Sequence, residues 1–136
     1  NLEMLSSRLN KDSYISFGNI LAKELLIGSI PQKRISCVKL GKNREYSNKQ
    51  GIIRFFSIAP HLFFGFTTKG GINYANKEKA LLDTLYFYQK GIKFSFNVFE
   101  DVDYKSINNE IVMQYITAYN NPKFIQFVKG VLNERF

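Results

Sequence analysis

The 136-residue chain has the length of one domain, carries 45% hydrophobic residues and has a formal net charge of +8. Its single cysteine, Cys37, excludes an internal disulfide and fits a reducing, cytoplasmic compartment. No apolar run approaches the ~20 residues of a membrane span, and the first apolar stretch is too broken by Ser, Arg and Lys for a signal peptide.

Leu2–Leu9 is helix-compatible and ends at the polar Asn10-Lys11-Asp12-Ser13. Ser16 is placed to cap a helix over Phe17–Ile27, with Phe17, Ile20, Leu21 and Leu25 at helical spacing, Gly28 as the C′ residue and Pro31 as a stop. From Arg34 the signal turns to strand. Ile35-Ser36-Cys37-Val38 and Ile52-Ile53-Arg54-Phe55-Phe56 read as a hairpin closed by the polar Ser47–Gly51 segment. A second hairpin is expected across Thr67–Asn73, turning at Lys69-Gly70-Gly71. Asn76 caps a helix with Glu78 in its first turn, a stripe of Leu81, Leu82, Leu85 and Tyr88, and Gly91 at its end. Ser106 or Asn108 starts a helix carrying Ile111, Val112, Tyr115 and Tyr119, and Asn121-Pro122 opens the last one.

The expectation is one α+β domain with a mainly antiparallel sheet of four to five strands, built from Arg34–Phe66 and Ile72–Ala75. N-terminal and C-terminal helices flank it, the latter a pair over 104–136. Phe55, Leu81, Leu82, Leu85, Ile111, Phe124 and Val128 are the expected core. Phe and Tyr make up 15% of the chain, but the Lys-, Asn- and Ile-rich composition points to A/T-rich coding, which discounts that abundance as a functional signal.

Catalytic signals are weak. His61 is the only histidine and has only Cys37 to join it at a zinc site. Cys37 lies in a β-rich run and reads as a small core residue. Glu78 and Asp83 stand five apart, not on a shared helical face, and Glu100-Asp101-x-Asp103 lacks the glycine and distal glutamate of a calcium loop. There is no phosphate-binding loop or dinucleotide fingerprint, so no cofactor, metal or catalytic residue is expected. A helix-turn-helix over Leu21–Val38 is rejected because its second helix would be the β-rich Arg34–Val38.

The charge is unevenly placed. Between Ser29 and Phe56 stand Lys33, Arg34, Lys39, Lys42, Arg44, Lys49 and Arg54 against the single acid Glu45. This stretch holds six of the eight net positive charges and is the candidate nucleic-acid-binding region, suited to sequence-independent contact with phosphates. Strand alternation is expected to leave about four of the seven on one face.

Three segments in order resemble the core domain of AbiEi-type antitoxins of type IV toxin–antitoxin systems. They are Ser13-Tyr14-Ile15-Ser16-Phe17, the Ile58–Gly65 segment with Pro60, Phe64 and Gly65, and Ile72–Tyr86 with its string Glu78-Lys79-Ala80-Leu81-Leu82-Asp83. The resemblance spans 1–91, and within it Tyr14, Ser16, Pro60, Phe64, Gly65, Glu78, Lys79, Ala80, Leu82 and Asp83 are structural motif residues. It implies a non-catalytic transcriptional regulator that represses its operon and counters a nucleotidyltransferase-type toxin. Such proteins usually add a winged-helix DNA-binding domain, which this chain is expected to lack. The alternatives are a nuclease-like enzyme with a cryptic metal site and a purely structural protein-interaction module.

Overall fold

A computed structural model describes residues 1–135; position 136, the end of the expected C-terminal helical pair, lies outside the described residues. In chain order the elements are α1 (Leu2–Leu9), β1 (Ser13–Ile15), α2 (Phe17–Lys23), β2 (Arg34–Lys39), β3 (Arg44–Asn48), β4 (Gly51–Ser57), β5 (Phe66–Lys69), β6 (Ile72–Ala75), α3 (Lys77–Gln89), α4 (Asn109–Ile116) and α5 (Pro122–Arg135). One sheet runs β3-β4-β2-β1-β6-β5.

The α+β class holds, but the sheet has six strands rather than four or five, and it is mixed. β1–β6 and β2–β4 pair parallel, while β1–β2, β3–β4 and β5–β6 pair antiparallel. The expected first hairpin is therefore corrected. The turn after Asn48 closes β3 on β4, and β2 runs parallel to β4 with Arg34 opposite Ile52 and Val38 opposite Phe56. In β3, Arg44-Glu45-Tyr46-Ser47-Asn48 is exposed throughout, so the strand carries no period-two apolar signal. β1 is short enough to read as a mere lead-in, yet it is buried at all three positions and joins the two halves of the sheet. The second hairpin forms as expected, with Lys69 opposite Ile72.

Register assigns the two faces. Tyr14, Val38 and Phe56 align across β1, β2 and β4 and face α3, where Tyr14 bonds Asp83 and the Phe56 ring lies 5.5 Å from Phe87. Ile15, Cys37 and Phe55 point to the opposite face, which α1 covers. Helices α4 and α5 pack behind α3, so α3 is enclosed between sheet and helices and is buried from Glu78 to Leu85. Burial of a helix on every side weakens its apolar stripe as a guide.

Helix α2 stops at Lys23, four residues short of expectation. Leu25 takes a left-handed φ of 65°, its N–H donates to Ala22 O at 3.1 Å, and the Leu26 N–H donates to Leu21 O at 2.8 Å. This is the bond pair of a Schellman ending with leucine in the place glycine usually takes, so Gly28 has no capping role. Ser16 sits at the N-cap position but makes no cap hydrogen bond. Asn19 joins α2 to the sheet, its Nδ2 donating to Arg34 O and its Oδ1 accepting from Ser36 N, both at 2.8 Å. Asn76, Asn108 and Asn121 all accept backbone N–H bonds at the starts of α3, α4 and α5.

Of the expected core, Phe55, Leu81, Leu82, Leu85, Phe124 and Val128 are buried; Ile111 is only half-buried, and Tyr88 is exposed. No helix of the described residues is long and apolar enough to cross a membrane.

Candidate functional site

The motif residues converge. Asp83 on α3 accepts from Ser16 Oγ at 2.7 Å, from Tyr14 Oη at 2.9 Å and from Lys79 Nζ, one helical turn earlier, at 2.8 Å. Lys79 Nζ also donates to Tyr14 Oη at 3.1 Å and lies 4.8 Å from the Phe64 ring centroid. Both members of this ion pair are fully buried. An i,i+4 spacing places two side chains on one helix face, and the pair at 79 and 83 is hidden in the sequence behind the five-residue spacing of Glu78 and Asp83.

Gly65 makes room for the lysine. Its φ is +81°, and a Cβ there would stand 2.8 Å from Lys79 Cβ and Cγ, so the position favours glycine on both counts. Ala80 and Leu82 are fully buried in the same helix. Glu78 turns away from Asp83 and accepts the Asn108 N–H at 2.9 Å, fastening the start of α4 to α3. Pro60 is exposed and opens a short 3₁₀ helix that includes the equally exposed His61. Burial, followed by the charge and hydrogen bond of Asp83, holds the Tyr14 phenol well above its usual range. Burial does the same to Tyr119, whose hydroxyl meets no hydrogen-bond partner among the described residues. Burial pushes the Cys37 thiol up to about 12. A low thiol pKa and exposure are what make a cysteine reactive, so Cys37 is an inert core residue.

Such a network can hold shape but offers no reacting group to solvent. Glu78 and Asp83, the acids a cryptic nuclease would use, are 3% and 0% exposed and already bonded. Among the described residues no three His, Cys, Asp or Glu side chains come together.

The cationic residues are spread around β2, β3 and β4. Lys33, Arg34, Lys42, Arg44, Lys49 and Arg54 are exposed, but Lys39 is buried and its ammonium donates to Lys42 O at 2.9 Å. Those on strands divide two and two by register: Arg34 and Arg54 lie on the α3 side, Lys39 and Arg44 on the α1 side. Four on one strand face is therefore not what the fold gives. Arg54 is also engaged, with Glu45 at 3.2 Å and its guanidinium 4.7 Å from the Phe56 ring centroid. Lys33, Arg34, Lys42, Arg44 and Lys49 have no ion-pair partner among the described residues. They gather at the two ends of the five-residue β3, about 17 Å apart at ~3.4 Å per residue.

Arg34 and Arg54 also line a cleft of about 130 Å³ between the α3-side surface of β2 and β4 and the irregular segment after α3. That segment brings Lys93, Phe94 and Phe96; Phe17 and Phe56 complete the aromatic lining. Sequence reasoning passes over these residues because coding bias discounts the aromatic count. The local signal that could find them is Lys93-Phe94-Ser95-Phe96, a cation beside alternating rings. No protein-family model, curated protein or solved structure matches the chain.

Proposed function

We propose that the chain is a non-catalytic, antitoxin-like regulatory core that works by contact. Nucleic acid is the partner of its basic end, and a nucleotidyltransferase-type toxin is a second protein partner. The observation that supports this reading is a division of roles between interior and surface. The motif residues Tyr14, Ser16, Lys79 and Asp83 are spent on one another inside the domain. Five cations around β3 meanwhile stand in solvent without carboxylate partners among the described residues.

A span of about 17 Å covers roughly five phosphates along one strand of a duplex, at ~3.4 Å of axis each. Each neutralised phosphate contributes a slope of about −0.9 in log K against log salt, so five contacts set an upper bound near −4.5. The test measures duplex binding across a salt series for wild type and for Lys42→Ala/Arg44→Ala/Lys49→Ala. The variant should lose up to about 2.7 of that slope and keep its circular dichroism spectrum. No salt-dependent retention of the wild type on DNA or RNA refutes the nucleic-acid half of the reading. Cleavage in Mg²⁺ or Mn²⁺ that disappears on Glu78→Ala or Asp83→Ala, with the variants shown folded, refutes the non-catalytic half.

A further inference from the structure

We propose that the cleft between the β2–β4 surface and the 92–96 segment binds a nucleoside phosphate, with the base against the phenyl rings and the phosphate at the cations. This rests on the nucleic-acid reading above and adds an unpaired base to the phosphate contacts proposed there.

The cleft joins two chemistries that few structural crevices need together. Its apolar part joins phenyl rings to aliphatic side chains such as Ile30, Ile52 and Ile92; the rings open to a ligand are the half-buried Phe94 and Phe96, 5.6 Å apart between centroids, and the buried Phe17 backs Phe94 at 5.9 Å. Its charged part is cationic: Arg34, Arg54 and Lys93 line it, and no carboxylate does. Glu45 reaches Arg54 from β3 at 3.2 Å, which leaves Arg34 and Lys93 as the cations without an ion-pair partner among the described residues. A buried cation commonly needs an acid, whereas exposed cations sharing a cleft with phenyl rings are placed to meet an anionic aromatic ligand. Base–aromatic stacking with phosphate-tracking cations is how single strands are held without reading sequence.

The size selects within that class. A volume of about 130 Å³ is well below the ~300–1,000 Å³ of ordinary ligand pockets, so one small ring system fits and a dinucleotide cofactor does not. Gly18 in the cleft wall is closely packed, since a Cβ there would meet Phe96 at 3.1 Å and Ile30 at 3.2 Å. A pyrimidine nucleotide is the ligand of choice. It can arrive free or as part of a single strand.

The experiment is a heteronuclear NMR titration of the isotope-labelled full chain with dTMP, with 5′-phosphorylated (dT)5 and with inorganic phosphate. dTMP or (dT)5 should shift the Phe94 and Phe96 ring signals and the Arg34 and Lys93 side-chain signals; inorganic phosphate should leave the rings unmoved. Tighter binding of (dT)5 than dTMP assigns the ligand to a single strand, and equal binding assigns it to a free nucleotide; both support the site. Phe94→Leu and the exposed Arg34→Gln should each weaken binding about tenfold. Arg34→Gln supplies the reading if Phe94→Leu does not fold. Shifts reproduced by inorganic phosphate alone, or absent from the cleft while duplex still binds, overturn this site and leave the basic-end reading standing. Failure of both duplex and single strand to bind overturns the two together.

Discussion

Removing one partner of the buried Lys79–Asp83 pair tests whether the motif is structural. Lys79→Met leaves the carboxylate with only two neutral donors, Tyr14 Oη at 2.9 Å and Ser16 Oγ at 2.7 Å. Asp83→Asn leaves an ammonium in a fully buried site whose other neighbours are a phenol and aromatic rings. Breaking a buried pair from one side costs about 3–5 kcal/mol because the remaining charge is uncompensated. In the double variant no charge remains, and the amide carbonyl that replaces the carboxylate can still accept from Tyr14 and Ser16. Its cost should then approach that of one single variant, about 3 kcal/mol, giving a favourable coupling of similar size. Urea titrations followed by circular dichroism read all four corners of the cycle, provided the slope m is unchanged. A domain of total stability ~5–15 kcal/mol can be unfolded by either single change, so a double variant no less stable than either single is the decisive signature. Additive losses, or single losses below about 1 kcal/mol, refute the idea that these residues form a sealed, mutually dependent unit.

Three further outcomes follow from particular residues. Leu25→Gly should raise stability by about 1 kcal/mol in thermal or urea melts, since Leu25 holds φ 65° with 82% of its surface exposed. Tyr119→Phe should be neutral or stabilising by up to about 1 kcal/mol, because it removes a buried hydroxyl that has no partner among the described residues. Stability should fall as pH rises above about 9, where the unfolded chain releases the Cys37 thiol proton that the fold retains, and more steeply above about 10, the ordinary phenol value. Tyr14 and Tyr119 keep their protons in the folded state, whereas the unfolded chain releases them. The limiting slope is about 1.4 kcal/mol per pH unit for each phenol, readable from urea midpoints between about pH 8 and 11. A midpoint independent of pH across that range rejects the buried-phenol account.

Local chemistry is legible in the sequence where a single residue decides it. Asn76, Asn108 and Asn121 cap helices because a short amide side chain suits that task, and Lys69-Gly70-Gly71 turns because two glycines accept φ of 57° and 78°. Pairing is not legible, because direction and register depend on partners distant in the chain. Ile35–Val38 and Ile52–Phe56 look alike whether joined by a hairpin or, as here, paired parallel after the chain has passed through the edge strand β3. The site divides the same way. The string from Glu78 to Asp83 is recognisable, but that Lys79 and not Glu78 partners Asp83 needs the third dimension. The cleft is invisible in the sequence because its cations come from β2, β4 and residue 93, which only the fold brings together.

The charge around β3 has a competing explanation in the sheet itself. An exposed edge strand invites pairing with another chain, and charged side chains along it discourage that. The opposite edge, β5, gives the measure within the same molecule: Phe66-Thr67-Thr68-Lys69 guards its free side with one cation. At the β3 edge stand Lys42, Arg44 and Lys49, with Lys33 and Arg34 near its far end, more than an edge of five residues requires. The two explanations part on one variant. If edge protection is the whole purpose, Lys42→Ala/Arg44→Ala/Lys49→Ala should self-associate in sedimentation velocity while the wild type shows no affinity for duplex. If phosphate contact is the purpose, the variant should remain as monodisperse as the wild type and lose salt-dependent binding.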